Sequence, residues 1–248
     1  MSEVMLVTGA SRGIGAATAR LAAARGFAVA VNYMASRKAA EALVNEIAGA
    51  GGRAIAVQGD VAVEADVKRL FETVDGELGT LGVLINNAGI LETAMRLDEM
   101  TVERWQRVLA TNVVGSFLCA REAVRRMSTR HGGSGGTIVN VSSAASRLGG
   151  PGEYIDYAAS KGAIDAMTIG LAKEVAREGI RVNAVRPGLI ETGIHASGGQ
   201  PDRVERLKDA VPMGRGGTPE EVAEAILWLA TGPSSYITGV LLDVTAGR

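Results

Sequence analysis

Tyr157 and Lys161, in the stretch YAASK, are spaced to do acid–base chemistry. Four positions apart on a helix, a phenol and an ammonium share one face, so the cation can favour the phenolate and turn a poor acid into a proton relay. An unperturbed phenol has a pKa of about 10, too high for an efficient base near neutrality, which is why the nearby positive charge matters. Tyr154 has no such partner, because Ala158 stands four residues beyond it.

A second group of residues suits an anion. VMLVTG reads as a short buried strand that runs into Gly9, Gly13 and Gly15 and then into the helical AATARLAAARG. Glycines let the backbone approach a pyrophosphate closely, and the open N–H groups and positive dipole end of a helix beginning near Gly13 favour it. The spacing is GxxxGxG, not the GxGxxG of the general dinucleotide fingerprint.

TGASRGIG at 8–15, NNAG at 86–89, Asn112, the serines of VNVSS, YAASK, and RPGLIET at 186–192 follow one another along nearly the whole chain. In that order and spacing the sequence resembles the short-chain dehydrogenase/reductase family, whose own glycine spacing is GxxxGxG. The resemblance implies an α/β fold, a Rossmann-type doubly wound parallel sheet flanked by helices, with residues 1–248 forming one dinucleotide-binding and catalytic domain. It implies an NAD(P)-dependent oxidoreductase that moves a hydride between a nicotinamide cofactor and a small alcohol or ketone. The relay would be Asn112, Ser143, Tyr157 and Lys161. Ser143 would hold the substrate oxygen, Lys161 would also bond the nicotinamide ribose, and Asn112 would kink a helix and hold a water that links the lysine to solvent. The family's serine commonly lies thirteen residues before the tyrosine, whereas Ser143 lies fourteen before Tyr157. The strand-end alignment on VNVSS favours Ser143, with Ser142 as its rival.

The same resemblance implies cofactor contacts from Gly9, Ser11, Arg12, Gly13, Ile14 and Gly15 in the turn and from Asn32 after the second strand. Further contacts are expected from Asp60 and Val61 at the adenine, from Asn87, Ala88 and Gly89 near the adenosine ribose, and from Tyr157 and Lys161. Pro187, Gly188, Ile190 and Thr192 complete the set, with the Thr192 hydroxyl on the nicotinamide carboxamide. No metal is expected. An acidic side chain after the second strand would accept from a ribose 2′-hydroxyl and repel a 2′-phosphate. That place is taken by Asn32, and Arg12 and Arg37 could pair with a phosphate, so NADP(H) is expected in preference to NAD(H).

The positioning elements are legible as alternating apolar and amphipathic runs. FAVAVN, RAIAVQGDV, GVLINNAG, TIVNVSS, IRVNAVRPG and VLLDV read as further strands, with SRKAAEALVNEIAGAG and EADVKRLFETVDGEL as helices between the early ones. Such alternation implies right-handed crossovers and a parallel sheet. The polar, glycine-rich stretch 193–218, with a short helix over residues 204–210, is long enough to be a binding lid. Two helical segments, NVVGSFLCAREAVRRM and YAASKGAIDAMTIGLAKEVAREG, are apolar on more than one stripe. The resemblance implies that each packs on the sheet and on another subunit, giving a homotetramer or homodimer that also uses VLLDV.

Composition sets limits. With 248 residues, 47% of them hydrophobic, the chain can bury one substantial core. A net charge of −1 gives no electrostatic case for nucleic acid or an anionic membrane. The opening MSEVMLVTG carries no basic region before an apolar one, and a single cysteine, Cys119, allows no internal disulfide, so a cytoplasmic protein is expected. Two other functions compete with the general reductase. One is a 3-oxoacyl carrier-protein reductase, for which Arg125, Arg126 and Arg130 could form a basic docking patch. The other is a non-catalytic dinucleotide sensor, which would have no need of a complete relay.

Overall fold

The computed structural model describes residues 3–248. Seven strands form one parallel sheet: β1 (Val4–Val7), β2 (Ala28–Tyr33), β3 (Arg53–Gln58), β4 (Leu81–Asn86), β5 (Gly136–Val141), β6 (Ile180–Pro187) and β7 (Leu241–Val244). Their spatial order is β3-β2-β1-β4-β5-β6-β7, so the chain reverses direction across the sheet between β1 and β4. Ligands of open α/β sheets bind outside the carboxyl ends of the strands at such a switch point. Every strand foreseen from the sequence is present.

Ten helices connect them: α1 (Gly13–Ala24), α2 (Arg37–Gly49), α3 (Glu64–Glu77), α4 (Val102–Leu109), α5 (Gly115–Met127), α6 (Ala145–Leu148), α7 (Ile155–Val175), α8 (Ile194–Ser197), α9 (Arg203–Leu207) and α10 (Pro219–Ala230). Two apolar layers result. On one face Ala16, Leu43, Val222 and Ile226 pack against Met5, Val29 and Val139, and on the other Leu70, Phe71, Ala123 and Val175 pack against Leu6, Leu84 and Ile138. The strands inside the sheet are therefore covered on both sides, which is why they read as continuous apolar runs rather than as alternating ones.

The sequence reading passed over α4 and α10, although α10 carries a clear start signal. Thr218 accepts from the Glu221 amide, Glu221 accepts in return, and Pro219 occupies the first turn. The stretch 193–218 contains α8 and α9, so the expected lid is a pair of short helices. α9 and the turn after it cover the residues where one helix was foreseen.

A buried polar ladder ties α7 to the sheet. Asn86 Nδ2 donates to Asn140 Oδ1 at 3.0 Å, and Asn140 Nδ2 donates to the Thr168 hydroxyl at 2.9 Å. The Thr168 hydroxyl then donates to the Ile164 carbonyl at 2.8 Å. A satisfied network of this kind fixes one docking of the helix, because any slip would leave several buried groups unpaired. Asn140→Ala should therefore lower the unfolding free energy by about 1–3 kcal/mol, seen as a lower urea midpoint at unchanged slope.

Candidate active site

The carboxyl ends of the central strands open into a cleft of about 740 Å³. Its floor is the glycine turn. Gly9 and Gly13 hold φ values of +60° and +56°, a region that side chains disfavour, and a Cβ on Gly15 would come within 2.5 Å of Asn87 Nδ2. α1 begins at Arg12 with no side-chain cap and no acid in its first turn, so its first amides remain open to an anion. Ser11, Arg12, Gly13 and Ile14 line the cleft, whereas Gly15 is buried behind them.

Two asparagines brace this turn from below. Asn87 Nδ2 donates to the carbonyls of Thr8 at 2.8 Å and Gly9 at 3.1 Å. Asn32 accepts from the Gly9 amide at 3.1 Å and donates to the Gly59 carbonyl at 3.0 Å. Asn32, expected from the sequence at the ribose, lines the cleft. Its side-chain amide is 1% exposed and engaged at both ends, so it also braces the turn. Tyr33, Met34, Ala35 and Ser36 line the same mouth, and none of them is acidic. Arg12 is exposed at the same mouth and has no hydrogen-bond or ion-pair partner among the described residues. Asp60 and Val61 line it too, with one Asp60 oxygen accepting from the Ala62 amide at 2.9 Å in a tight turn. Ala88 and Gly89 form the wall beyond Asn87, and Pro187, Gly188, Ile190 and Thr192 form the wall opposite. Thr192 faces the start of α1, its methyl 3.5 Å from where a Gly13 Cβ would sit.

Deeper in, Tyr157 and Lys161 share the inner face of α7. The Lys161 ammonium lies 5.5 Å from the centre of the Tyr157 ring and donates to the Val141 carbonyl at 2.7 Å. Burial pushes the lysine down to about 8, a change that Asp165, one turn along, opposes. Burial also pushes the Tyr157 phenol up, and the hydrogen bond from Ser143 opposes that. The two serines of VNVSS are separated by their surroundings. Both line the cleft, but the Ser143 hydroxyl accepts from the Ala145 amide at 3.1 Å, while the buried Ser142 hydroxyl donates to the Lys161 carbonyl at 3.2 Å. Asn112 occupies a π-helical turn, Ala110–Val114, between α4 and α5. Its side chain accepts from the Ile90 amide at 2.8 Å and donates to the Ser160 hydroxyl at 3.0 Å. Asn112 and Lys161 both lie beside Gly89, where a Cβ would sit 3.4 Å from Asn112 Oδ1 and 3.6 Å from Lys161 Nζ.

The family model described as Enoyl-(Acyl carrier protein) reductase matches residues 9–248. The chain belongs to the short-chain dehydrogenase/reductase family. It is 56% identical over 245 residues to the Uncharacterized oxidoreductase YgfF of Escherichia coli, covering 99% of each chain. It is 42% identical over 247 residues to a 3-oxoacyl-(acyl-carrier-protein) reductase of Synechocystis, covering 99% of this chain and 96% of the other. A crystal structure of a dehydrogenase/reductase from Sinorhizobium meliloti superposes with a TM-score of 0.92 at 33% identity, covering 100% of this chain and 95% of the other. The protein is thus an oxidoreductase, and its family implies a nicotinamide dinucleotide and a small-molecule substrate. The uncapped amides of α1 and the glycine cradle fit such a group.

Among the residues lining the cleft, Arg203 is not foreseen from the sequence. Glu153 accepts from Arg203 at 2.8 and 2.7 Å, joining the lid to the loop before α7, and the Arg203 guanidinium lies 5.2 Å from the Tyr154 ring centre. Tyr154, the tyrosine without an ammonium, donates to the Gly198 carbonyl at 3.2 Å and so holds the lid instead. Glu153 sits well below the usual carboxylate range because Arg203 bonds it. His195 meets the Ile190 carbonyl at 2.9 Å, and burial lowers its pKa. Cys119 is buried and its thiol is pushed up to about 12, which leaves it inert as a nucleophile. Among the described residues no cluster of ligands suits a metal.

The depressed Lys161 makes a prediction with a definite sign. A lysine whose folded pKa is about 8 against an ordinary 10.5 costs stability wherever it is charged in both states, below pH 8, and the cost fades as pH rises towards 10.5. Lys161→Met should therefore raise stability at pH 7 by about 1–3 kcal/mol, measured without added nucleotide. The gain should shrink steadily in thermal melts taken between these two pKa values.

Proposed function

We propose that the protein is an NADP(H)-preferring carbonyl reductase or alcohol dehydrogenase acting through Asn112, Ser143, Tyr157 and Lys161. The observation that carries this reading is the meeting of Ser143, Tyr157 and Lys161 in one cleft with the glycine turn. A bound nicotinamide would supply or accept the hydride. Ser143 then donates to the substrate oxygen where negative charge develops, and Tyr157 gives its proton to that oxygen in reduction or takes one in oxidation. Lys161 holds positive charge beside the ring, so the phenolate left behind is stabilised. Asn112, side by side with Lys161 around Gly89, places a polar group where the proton can be replaced from solvent.

Preference for the phosphorylated cofactor rests on charge at the mouth. Residues 33–36 offer no carboxylate to a 2′-hydroxyl, and Arg12 stands exposed at the start of α1. Arg37 is also exposed, held only by Glu41 at 3.6 Å. A cytoplasmic oligomer suits the lone buried thiol and the apolar side chains left exposed on two helical segments, Val114 and Phe117 on one and Ile169 on the other. No helix among the described residues is long and apolar enough to cross a membrane.

A second reading, reduction of a 3-oxoacyl thioester on a carrier protein, is supported by the resemblance to the Synechocystis reductase. The basic patch that it would use is largely neutralised. Arg125 and Arg126 both pair with Glu122, and Arg126 also pairs with Asp75 and lies over Phe71. That leaves Arg130 with no acidic partner there.

With a substrate found by screening ketones, alcohols and 3-oxoacyl thioesters, Tyr157→Phe should lower kcat by roughly a hundredfold or more while nucleotide affinity stays nearly native. Turnover that survives this change but is lost in Tyr154→Phe would reverse the assignment. In direct titrations NADPH should bind roughly tenfold more tightly than NADH, and Arg12→Ala should remove most of that difference.

A further inference from the structure

The most fully buried ion pair among the described residues joins α4 to the residue before Tyr157. Arg104 Nε donates to Asp156 Oδ2 at 2.6 Å and Nη2 to Oδ1 at 3.2 Å, with the two side chains 6% and 4% exposed. The third nitrogen, Nη1, donates to the carbonyl of Thr93 at 2.5 Å. Asp156 in turn accepts from the Tyr157 amide at 2.9 Å. One guanidinium thus holds three segments: α4, the start of α7, and the loop that follows NNAG and carries Leu91 into the cleft.

Burial on this scale is poor evidence of added stability, since stripping water from two charges offsets much of their attraction. What a forked pair does supply is a fixed geometry, because a planar guanidinium on a carboxylate admits only one relative placement. α7 needs that placement from outside. Its first turn has no side-chain cap from Tyr154, so Asp156 is the acidic side chain that takes up a free amide there. The loop held through Thr93 is also tied to the cleft's other walls, with the Ala94 amide on the Gly198 carbonyl at 3.2 Å and the Met95 amide on the Glu153 carbonyl at 3.0 Å. A slip of the first turn of α7 would therefore move Tyr157 relative to Ser143, which is on β5's end and does not move with it.

Resting on the catalytic reading of Tyr157 given above, we propose that Arg104 and Asp156 are a positioning pair that holds the Tyr157 phenol in register with Ser143 and sets the substrate-side loop from the same point. Neither touches the reacting atoms. Their effect is transmitted through the backbone of Tyr157 and the carbonyl of Thr93.

The test compares Asp156→Asn with the uncharged double variant Arg104→Met/Asp156→Asn, in which the amide oxygen can still accept from Tyr157. Three quantities are read: the thermal midpoint, kcat with NADPH affinity, and the Tyr157 ionisation. The last is the tyrosinate absorbance of each protein minus that of the same protein carrying Tyr157→Phe. Positioning predicts that Asp156→Asn lowers kcat about tenfold or more with NADPH affinity within about twofold, since geometry rather than binding is disturbed. It also predicts a rise in the Tyr157 pKa, because the hydrogen bond from Ser143 that opposes the effect of burial is loosened. The double variant, with no lone buried charge, should regain the thermal midpoint lost by the single one yet keep the low kcat and the raised ionisation. Recovery of kcat and ionisation together with the midpoint would show a merely structural pair and overturn the proposal, as would an Asp156→Asn protein with native kcat. Should the single variant not fold, the double variant is judged against wild type by the same criteria. Full turnover in Tyr157→Phe alone would sink the catalytic reading itself, an outcome distinct from a failure of the pair.

Discussion

An ammonium held out of water at the end of a parallel sheet is the constraint on which this structure turns. Lys161 is 4% exposed and its ammonium donates to the carbonyl of Val141, the last residue of β5. Keeping a charge there is unfavourable, and the lowered lysine pKa reports the strain. The surroundings are built to tolerate it. α7 is pinned to β4 and β5 through Asn86, Asn140 and Thr168, and a π-helical turn between α4 and α5 carries Asn112, which lies with Lys161 beside Gly89. Each of these features costs something locally, and each makes sense as a means of holding one cation beside one phenol.

The two ends of the cleft are organised by different forces. At the outer end the work is done by backbone: positive-φ glycines, open helix amides, and the amides of Asn32 and Asn87 that brace the turn from beneath. A rigid frame of main-chain donors costs little to organise at the moment of binding, which suits an anionic ligand. At the inner end the work is done by side chains whose ionisation is set by burial, and the lid closes over them through Glu153, Arg203 and Tyr154. The contacts of the lid are charged and aromatic, on short helices that bury little apolar surface. Such elements open more readily than the sheet beneath them.

Much of the fold was legible because strands buried on both faces and helices with one apolar stripe leave different periods in a sequence. All seven strands fell where apolar runs were bounded by turn residues. α4 was missed because its buried face is carried by Arg104 as well as Val108, so apolar periodicity understates it. In the site, Tyr157, Lys161 and the glycine turn were visible from spacing alone, since residues four apart on a helix must share a face. The order of motifs added Asn112 and Ser143. Between Ser142 and Ser143 the strand-end alignment favoured Ser143, but the two follow β5 directly, and the partners of each hydroxyl are set by contacts that a sequence does not record.

The sequence by itself thus determined the sheet, the direction of its crossovers, the family and the chemical types at the site, all of which follow from local periodicity and short spacings. Only the tertiary structure decided which polar groups have partners. It showed Asn32 bracing the glycine turn, and it turned Tyr154 from an idle phenol into a latch for the lid and Arg125 and Arg126 from a free basic patch into paired ions. It also brought Arg104 to Asp156 across 52 residues of chain. The reason is physical: whether a side chain is free or engaged depends on neighbours distant in sequence, and no spacing along the chain records those contacts.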